Sequence, residues 1–403
     1  MGATVASVLL ASCEHAPRSS PWTGAVTDSA GVEMVVNPAD GTWTDATAWT
    51  VAEVFAIGGP DAQGPSAFGD VSGVDVDAEG NVYVADDQVE TVQVFDSAGA
   101  WQFSIGGPGE GPGELRRTLA GLFVAGDEVL IPNLSNQRVS RFTLRGEFVG
   151  SDGVDFGQGY PLRWGAPRGE HLVAQRRPIS DTSARTAPGD AIVAGGDGGS
   201  VADTLAVLGT DQSVEIVGGA PKIHQFAPMP AWATSTDGRL VTALTDTWRF
   251  EVYEGSNGLV RVISRPFKRT GVSEAIKQVV RERLRDMYRA QHLPPQISEQ
   301  FVGAMDFADV LPVFASVVWG PAGSLWVQEL LSAEELADGG AAVQVEDMGS
   351  RRWGVFDAAG RYLGIVEFPE RFVPIRAVGE RFYGITRDEL DVQSVKAYQV
   401  VMH

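Results

Sequence analysis

From Gly73 onward the chain alternates apolar and polar residues in short runs: Val74 and Val76, Val82 and Val84, Val92 and Val94, then Trp101 and Phe103. Period-two alternation in β-branched and aromatic residues predicts half-buried strands. The runs are separated by turn chemistry at Asp77-Ala78-Glu79-Gly80, Asp86-Asp87 and Asp96-Ser97-Ala98-Gly99. Glycine supplies positive φ in such turns, and aspartate bonds its own downstream backbone. Four strands, A to D, make one unit.

The A–B turn recurs with its glycine at 80, 126, 169, 238, 323 and 379, each followed by an apolar strand. The spacings are 46, 43, 69, 85 and 56 residues. Four-stranded propeller repeats run about 40–45 residues, so the longer intervals carry insertions. The last unit offers only three strands, Val373 to Ala377, Phe382 to Thr386 and Val395 to Met402. Its missing partner stands at the other end of the chain. Phe103-Ser104-Ile105-Gly106-Gly107-Pro108, which ends strand D of the first unit, has an earlier copy in Phe55-Ala56-Ile57-Gly58-Gly59-Pro60. The stretch Val51 to Gly59 therefore completes the last blade and removes the open edge of a linear array. The predicted fold is all-β, a six-bladed β-propeller of four-stranded blades over residues 31–403, closed by an N-terminal strand.

The segments NVYVAD, VQVFDSAG and FSIGGPGEGPGE resemble the NHL-type six-bladed β-propeller, in the version found in bacterial envelope lipoproteins. The likeness is sharpest over 51–150 and 316–368. It implies a binding scaffold, although related six-bladed rings include metal-dependent lactonases and lyases, and fold alone does not assign function.

The N-terminus adds a location. Ala3 to Ala11 are small or apolar, and Leu10-Ala11-Ser12-Cys13 follows, which resembles a bacterial lipoprotein signal over residues 1–13 with Cys13 as the lipidated residue. The n-region has no Lys or Arg, where such signals carry positive charge. Cys13 is the only cysteine, so no disulfide forms within a monomer. Residues 14–30 read as a tether. The expected location is the bacterial envelope, facing the periplasm, on the outer membrane through the lipid alone. A balance of 31 basic against 52 acidic residues, net −21, argues against nucleic acid as a partner and for a self-repelling, monomeric ring.

The extra length has a common address. D–A and B–C connections leave a propeller on one face, and the insertions predicted at 180–201, 266–311 and 331–350 are of these kinds. The middle one carries a helix, with Ser273 as its cap and Ile276, Val279, Val280, Leu284, Met287 and Tyr288 as its apolar stripe. Pro294-Pro295 ends it, and Ile297 to Met305 predicts a shorter second helix. Lys277, Arg281 and Arg285 recur at i+4 on what the stripe makes the outer side. Between Arg261 and Arg289 nine basic residues face three acidic ones, an inversion of the overall sign. Two readings follow: a cationic lid over the channel mouth, or a helix that only packs, with a solvated outer face.

Candidate chemistry is sparse. The five histidines, His15, His171, His224, His292 and His403, show no ligand spacing, and only His224 falls on the insertion-rich face. The loop GPGEGPGE, with Glu110 and Glu114, lacks the Lys-Ser/Thr and following helix of a phosphate loop. No nucleophile elbow is present. Asp70, Asp86, Asp87, Asn133, Asp246 and Glu329 fall near strand ends on the same face, where a Ca²⁺ site is conceivable and turn capping is the simpler role. Trp319 and Trp326 lie in strand patterns and are expected between blades. The sequence thus favours a non-enzymatic ring without cofactor. It would bind a protein, peptide or glycan through Lys277, Arg281, Arg285, Glu110, Glu114 and His224. The alternative is a metal-dependent lactonase or lyase with a Ca²⁺-like ion at the channel mouth.

Overall fold

The computed structural model describes residues 21–117, 120–168, 171–177, 189–196, 200–208, 214–217, 220–255, 258–340 and 345–403. Six antiparallel sheets surround an axis. Blade one is Val71–Val76, Val82–Asp86, Thr91–Phe95 and Trp101–Ile105. Blade two is Phe123–Ala125, Glu128–Asn133, Arg138–Thr143 and Phe148–Gly153. Blade three is Tyr160–Arg168, His171–Arg177, Ala191–Gly195 and Val201–Val207. Blade four runs Pro230–Thr234, Leu240–Leu244, Arg249–Glu254 and Gly258–Ser264, and blade five Ser316–Trp319, Leu325–Leu330, Gly349–Phe356 and Tyr362–Glu367. The innermost strands adjoin in order, and that of blade six returns to that of blade one.

Blade six is closed as the repeat predicts. Phe372–Val378, Arg381–Arg387 and Gln393–Val401 take Thr50–Gly58 as their fourth strand, in a register from Ser394 opposite Gly58 to Val401 opposite Thr50. Glu53 fastens the seam by accepting from Lys396 Nζ at 2.8 Å and the Tyr398 hydroxyl at 3.0 Å. Lys396 holds the Glu53 carboxyl below the usual carboxylate range.

Each blade is covered on both faces by its neighbours, so an apolar cluster fills every junction. Aromatic residues concentrate at two of them. Trp248, Phe250, Phe314 and Phe356 meet between blades four and five, and Trp326, Trp353, Phe368, Phe382 and Tyr398 between five and six. Trp326 is fully buried and stacks edge-on to Phe382 at 4.8 Å, so it belongs to the interior, as its strand pattern implies. Trp319 is half-buried beside the four–five cluster, and its indole donates to the Ala233 carbonyl of the next inner strand.

The N-terminal region departs from expectation. The stretch read as a tether to residue 30 contains the strand Ala25–Ser29, which hairpins onto Val32–Val36. Val32–Val36 then pairs in parallel with Gly258–Ser264, giving blade four six strands instead of four. The turn has a hairpin's requirements: Ala30 and Gly31 lie at φ 55° and 84°. Buried Asn37 rivets the hairpin to blade five. Its amide nitrogen donates to the Ser264 and Gly360 carbonyls at 3.2 and 2.9 Å, and its oxygen accepts from Tyr362 N–H at 2.7 Å and the Trp22 indole at 3.0 Å. The chain then crosses the outer strand of blade five, where Trp43 N–H donates to Leu363 O and its ring lies on Gly364, a position where a Cβ would meet that ring at 2.7 Å. It continues into Thr50–Gly58. One N-terminal strap therefore girdles blades four, five and six.

Blade three also differs. Its third strand, Ala191–Gly195, lies inside the stretch 180–201 expected as an insertion. A run of Gly and Ala conceals a strand whose Ile192 is fully buried. The surplus of this unit is divided between a long B–C connection from Arg177 to Ala191 and, after the blade, the hairpin Val214–Val217 with Ala220–Gln225. The leader, Cys13, His15 and much of 180–201 lie outside the described residues.

Candidate functional site

The insertion between blades four and five folds as α1 (Glu274–Ala290) and α2 (Pro295–Ala304). The Ser273 hydroxyl accepts from Ile276 N–H at 3.3 Å, the expected cap, and Ile276, Val280 and Leu284 are buried. What they bury against comes from two other places in the chain. Phe226 arrives from the connection between blades three and four, and Leu336, Val345 and Met348 from the B–C insertion of blade five. With Val302, Met305 and Leu311 these form a seventh apolar core, separate from the blade junctions. A capping box at Ser332 and Glu335 starts the blade-five segment, and Arg283 donates to Gly339 O at 2.6 Å. Three connections thus make one composite cap.

At its centre, Asp306–Phe307 pairs in parallel with His224–Gln225. Around this bridge the structure gathers three of the residues singled out from sequence. The His224 Nδ1 lies 4.0 Å from the Asp306 carboxylate. The Arg281 guanidinium stands 5.0 Å from the Phe307 ring centre, and Lys277 Nζ 6.0 Å from it. Arg285 goes elsewhere, donating to both carboxylate oxygens of Glu299 on α2 at 2.8 and 3.2 Å. Lys277 also pairs with Glu274 at 2.7 Å. The row of cations expected on an outer side is therefore a flank. After Pro294-Pro295 the chain doubles back, α2 takes the Arg285 end of that flank through Glu299, and Lys277 and Arg281 stand beside Phe307. Lys277 and Arg285 hold the Glu274 and Glu299 carboxyls below the usual range.

Glu110 and Glu114 lie in the Gly/Pro loop between blades one and two, apart from the cap. Arg138 organises that loop: its Nη2 donates to Gly111 O and Glu114 O at 2.6 and 2.8 Å, and its Nη1 to Glu110 O at 3.2 Å. The Glu114 carboxylate accepts from Gly111 N–H at 2.7 Å, while Glu110 pairs with Arg116 at 2.6 Å. Carbonyls turn towards an arginine here, the reverse of an amide nest around phosphate. Asp86 caps, accepting from the amides of Gly69, Asp70 and Gln88.

Sequence reading missed the pair at the axis. Asp75, on the inner strand of blade one, is wholly buried, lies 2.7 Å from Arg376 of blade six, and accepts from Val124 N–H of blade two at 2.8 Å. Burial pushes the Asp75 carboxyl up, and Arg376 opposes this. Among the described residues no three His, Cys, Asp or Glu side chains stand close enough to hold a metal ion.

No protein-family model and no curated protein sequence matches the chain. Solved structures do match in fold. A Bacteroides fragilis protein assigned to export is 12% identical, with a TM-score of 0.52 over 92% of this chain and 99% of that one. A member of the DUF4221 family from Bacteroides vulgatus is 10% identical, also at 0.52, over 88% and 99%. The virginiamycin B lyase of Staphylococcus aureus reaches only 0.44 at 10% identity, over 88% and 100%, and bears no argument about activity. The class is defined by the fold: a six-bladed β-propeller with a helical cap. The NHL likeness stays one of sequence pattern.

Proposed function

We propose that the chain is a lipid-anchored binding propeller of the NHL kind, held at the envelope through Cys13. Its cap would offer a protein, peptide or glycan a preformed surface on the insertion-rich face. The supporting observation is the seventh core: connections from three places in the sequence bury one another's apolar side chains, and a surface so fixed loses little conformational freedom on binding. Arg281, Met287 and Ile297 lie at its periphery, the last two exposed.

A photo-crosslinker at Met287 is expected to trap one defined partner in intact cells, and Arg281→Glu to reduce the yield several-fold from the fraction that remains folded. An unchanged yield from the folded variant would remove this flank from the binding surface. Radiolabelled palmitate should enter the wild-type chain and not Cys13→Ser; a wild-type chain without label would rule out the anchor.

A further inference from the structure

The junction of blades two and three contains a cavity of about 50 Å³, lined among others by Arg141, Asp152, Trp164, His171, Leu172 and Arg176. Water needs roughly 10–15 Å³ on such a measure, so the space suits about four heavy atoms. Its walls are unbalanced in hydrogen bonding. Arg176 is 4% exposed, and no carboxylate of the described residues stands within ion-pair distance of it; its electrostatic partner is the exposed Asp155 carboxylate, farther off. Among the described residues its one hydrogen bond runs from Nη1 to the Asp155 carbonyl at 2.7 Å, and Nε is buried without an acceptor there. Trp164, 9% exposed, likewise buries its indole N–H without an acceptor. Arg141 is partly committed, standing 3.7 Å from Asp152 and 3.9 Å from Glu128.

A buried guanidinium without a close counter-ion is costly, and a buried donor without an acceptor adds to that cost. Both are relieved by one group that accepts twice and carries a negative charge. The free Nε edge of an arginine matches a carboxylate in two parallel bonds, and the indole supplies a third donor. We propose that this junction binds the carboxylate of a small organic acid, with Arg176 as its counter-ion and the Trp164 indole as the second donor. The site is independent of the cap and of the lipid anchor.

Acetate is the probe, substituted for chloride at constant ionic strength on the full chain. Saturable binding by calorimetry, with one indole N–H resonance moving downfield, is the expected result. Arg176→Met should weaken acetate at least about tenfold, since it removes the charge-assisted bonds, which are the strong ones. Trp164→Phe, which keeps the ring and removes only the N–H, should weaken it less and abolish the moving resonance, and it serves where Arg176→Met fails to fold. No saturable binding, undiminished binding in these variants, or an equal response to chloride or phosphate would overturn the proposal.

Discussion

Arg376→Met is expected to lower the unfolding free energy by about 3–5 kcal/mol, the usual cost of removing one partner from a buried ion pair. The variant leaves buried Asp75 beside the axis without its counter-charge and with only the Val76 and Val124 amides for company. Removing both charges, as Asp75→Leu with Arg376→Met, should recover most of the loss, because the uncompensated charge disappears with its partner. The single variant should also approach wild type as pH falls. With its pKa raised by burial, folded Asp75 binds a proton more tightly than unfolded Asp75 does, so acidification stabilises the folded variant. Urea unfolding at neutral and mildly acidic pH measures both effects. A penalty that grows in acid would contradict this assignment.

A chain beginning at Gly59 should fail to form a stable monomer, whereas one beginning at Pro38 should fold with reduced stability. The shorter chain lacks all of Thr50–Gly58, buried Ile57 and the Glu53 contacts, and exposes Gln393–Val401 as a bare edge. The longer one loses the blade-four hairpin, the Trp22 contact with Arg361 and the five hydrogen bonds of Asn37, including the acceptor for Tyr362 N–H. Light scattering separates the two outcomes. Monomeric, cooperative unfolding of the chain from Gly59 would show that closure is dispensable.

These predictions rest on features of unequal legibility. Closure of blade six could be read because Phe-x-Ile-Gly-Gly-Pro is written twice. The α1 stripe and its Ser273 cap were equally plain. Asp75 was not, because period-two alternation places it opposite Val74 and Val76, where an ordinary sheet would face water. In this ring both faces of a blade are covered, so a polar residue between two valines lands in another interior. The cap core was hidden for a different reason. Phe226, Ile276 and Met348 belong to separate connections, and no local pattern says that they meet. The N-terminal hairpin did leave a signal in Asp28 to Gly31, followed by alternating Val32, Met34 and Val36. Its neighbours rich in Ser, Thr and Pro outweighed that signal.

The strap has a temporal consequence. Residues 25–58 leave the ribosome before any blade exists, yet their partners are Gly258–Ser264 and Gln393–Val401. The earliest strands must wait for nearly the last, and contacts of such sequence separation form slowly. Any chain released before Gln393 keeps an unsatisfied apolar strand at its own front end. Ring closure is thereby the last pairing the chain can make, however early its first strand is synthesised.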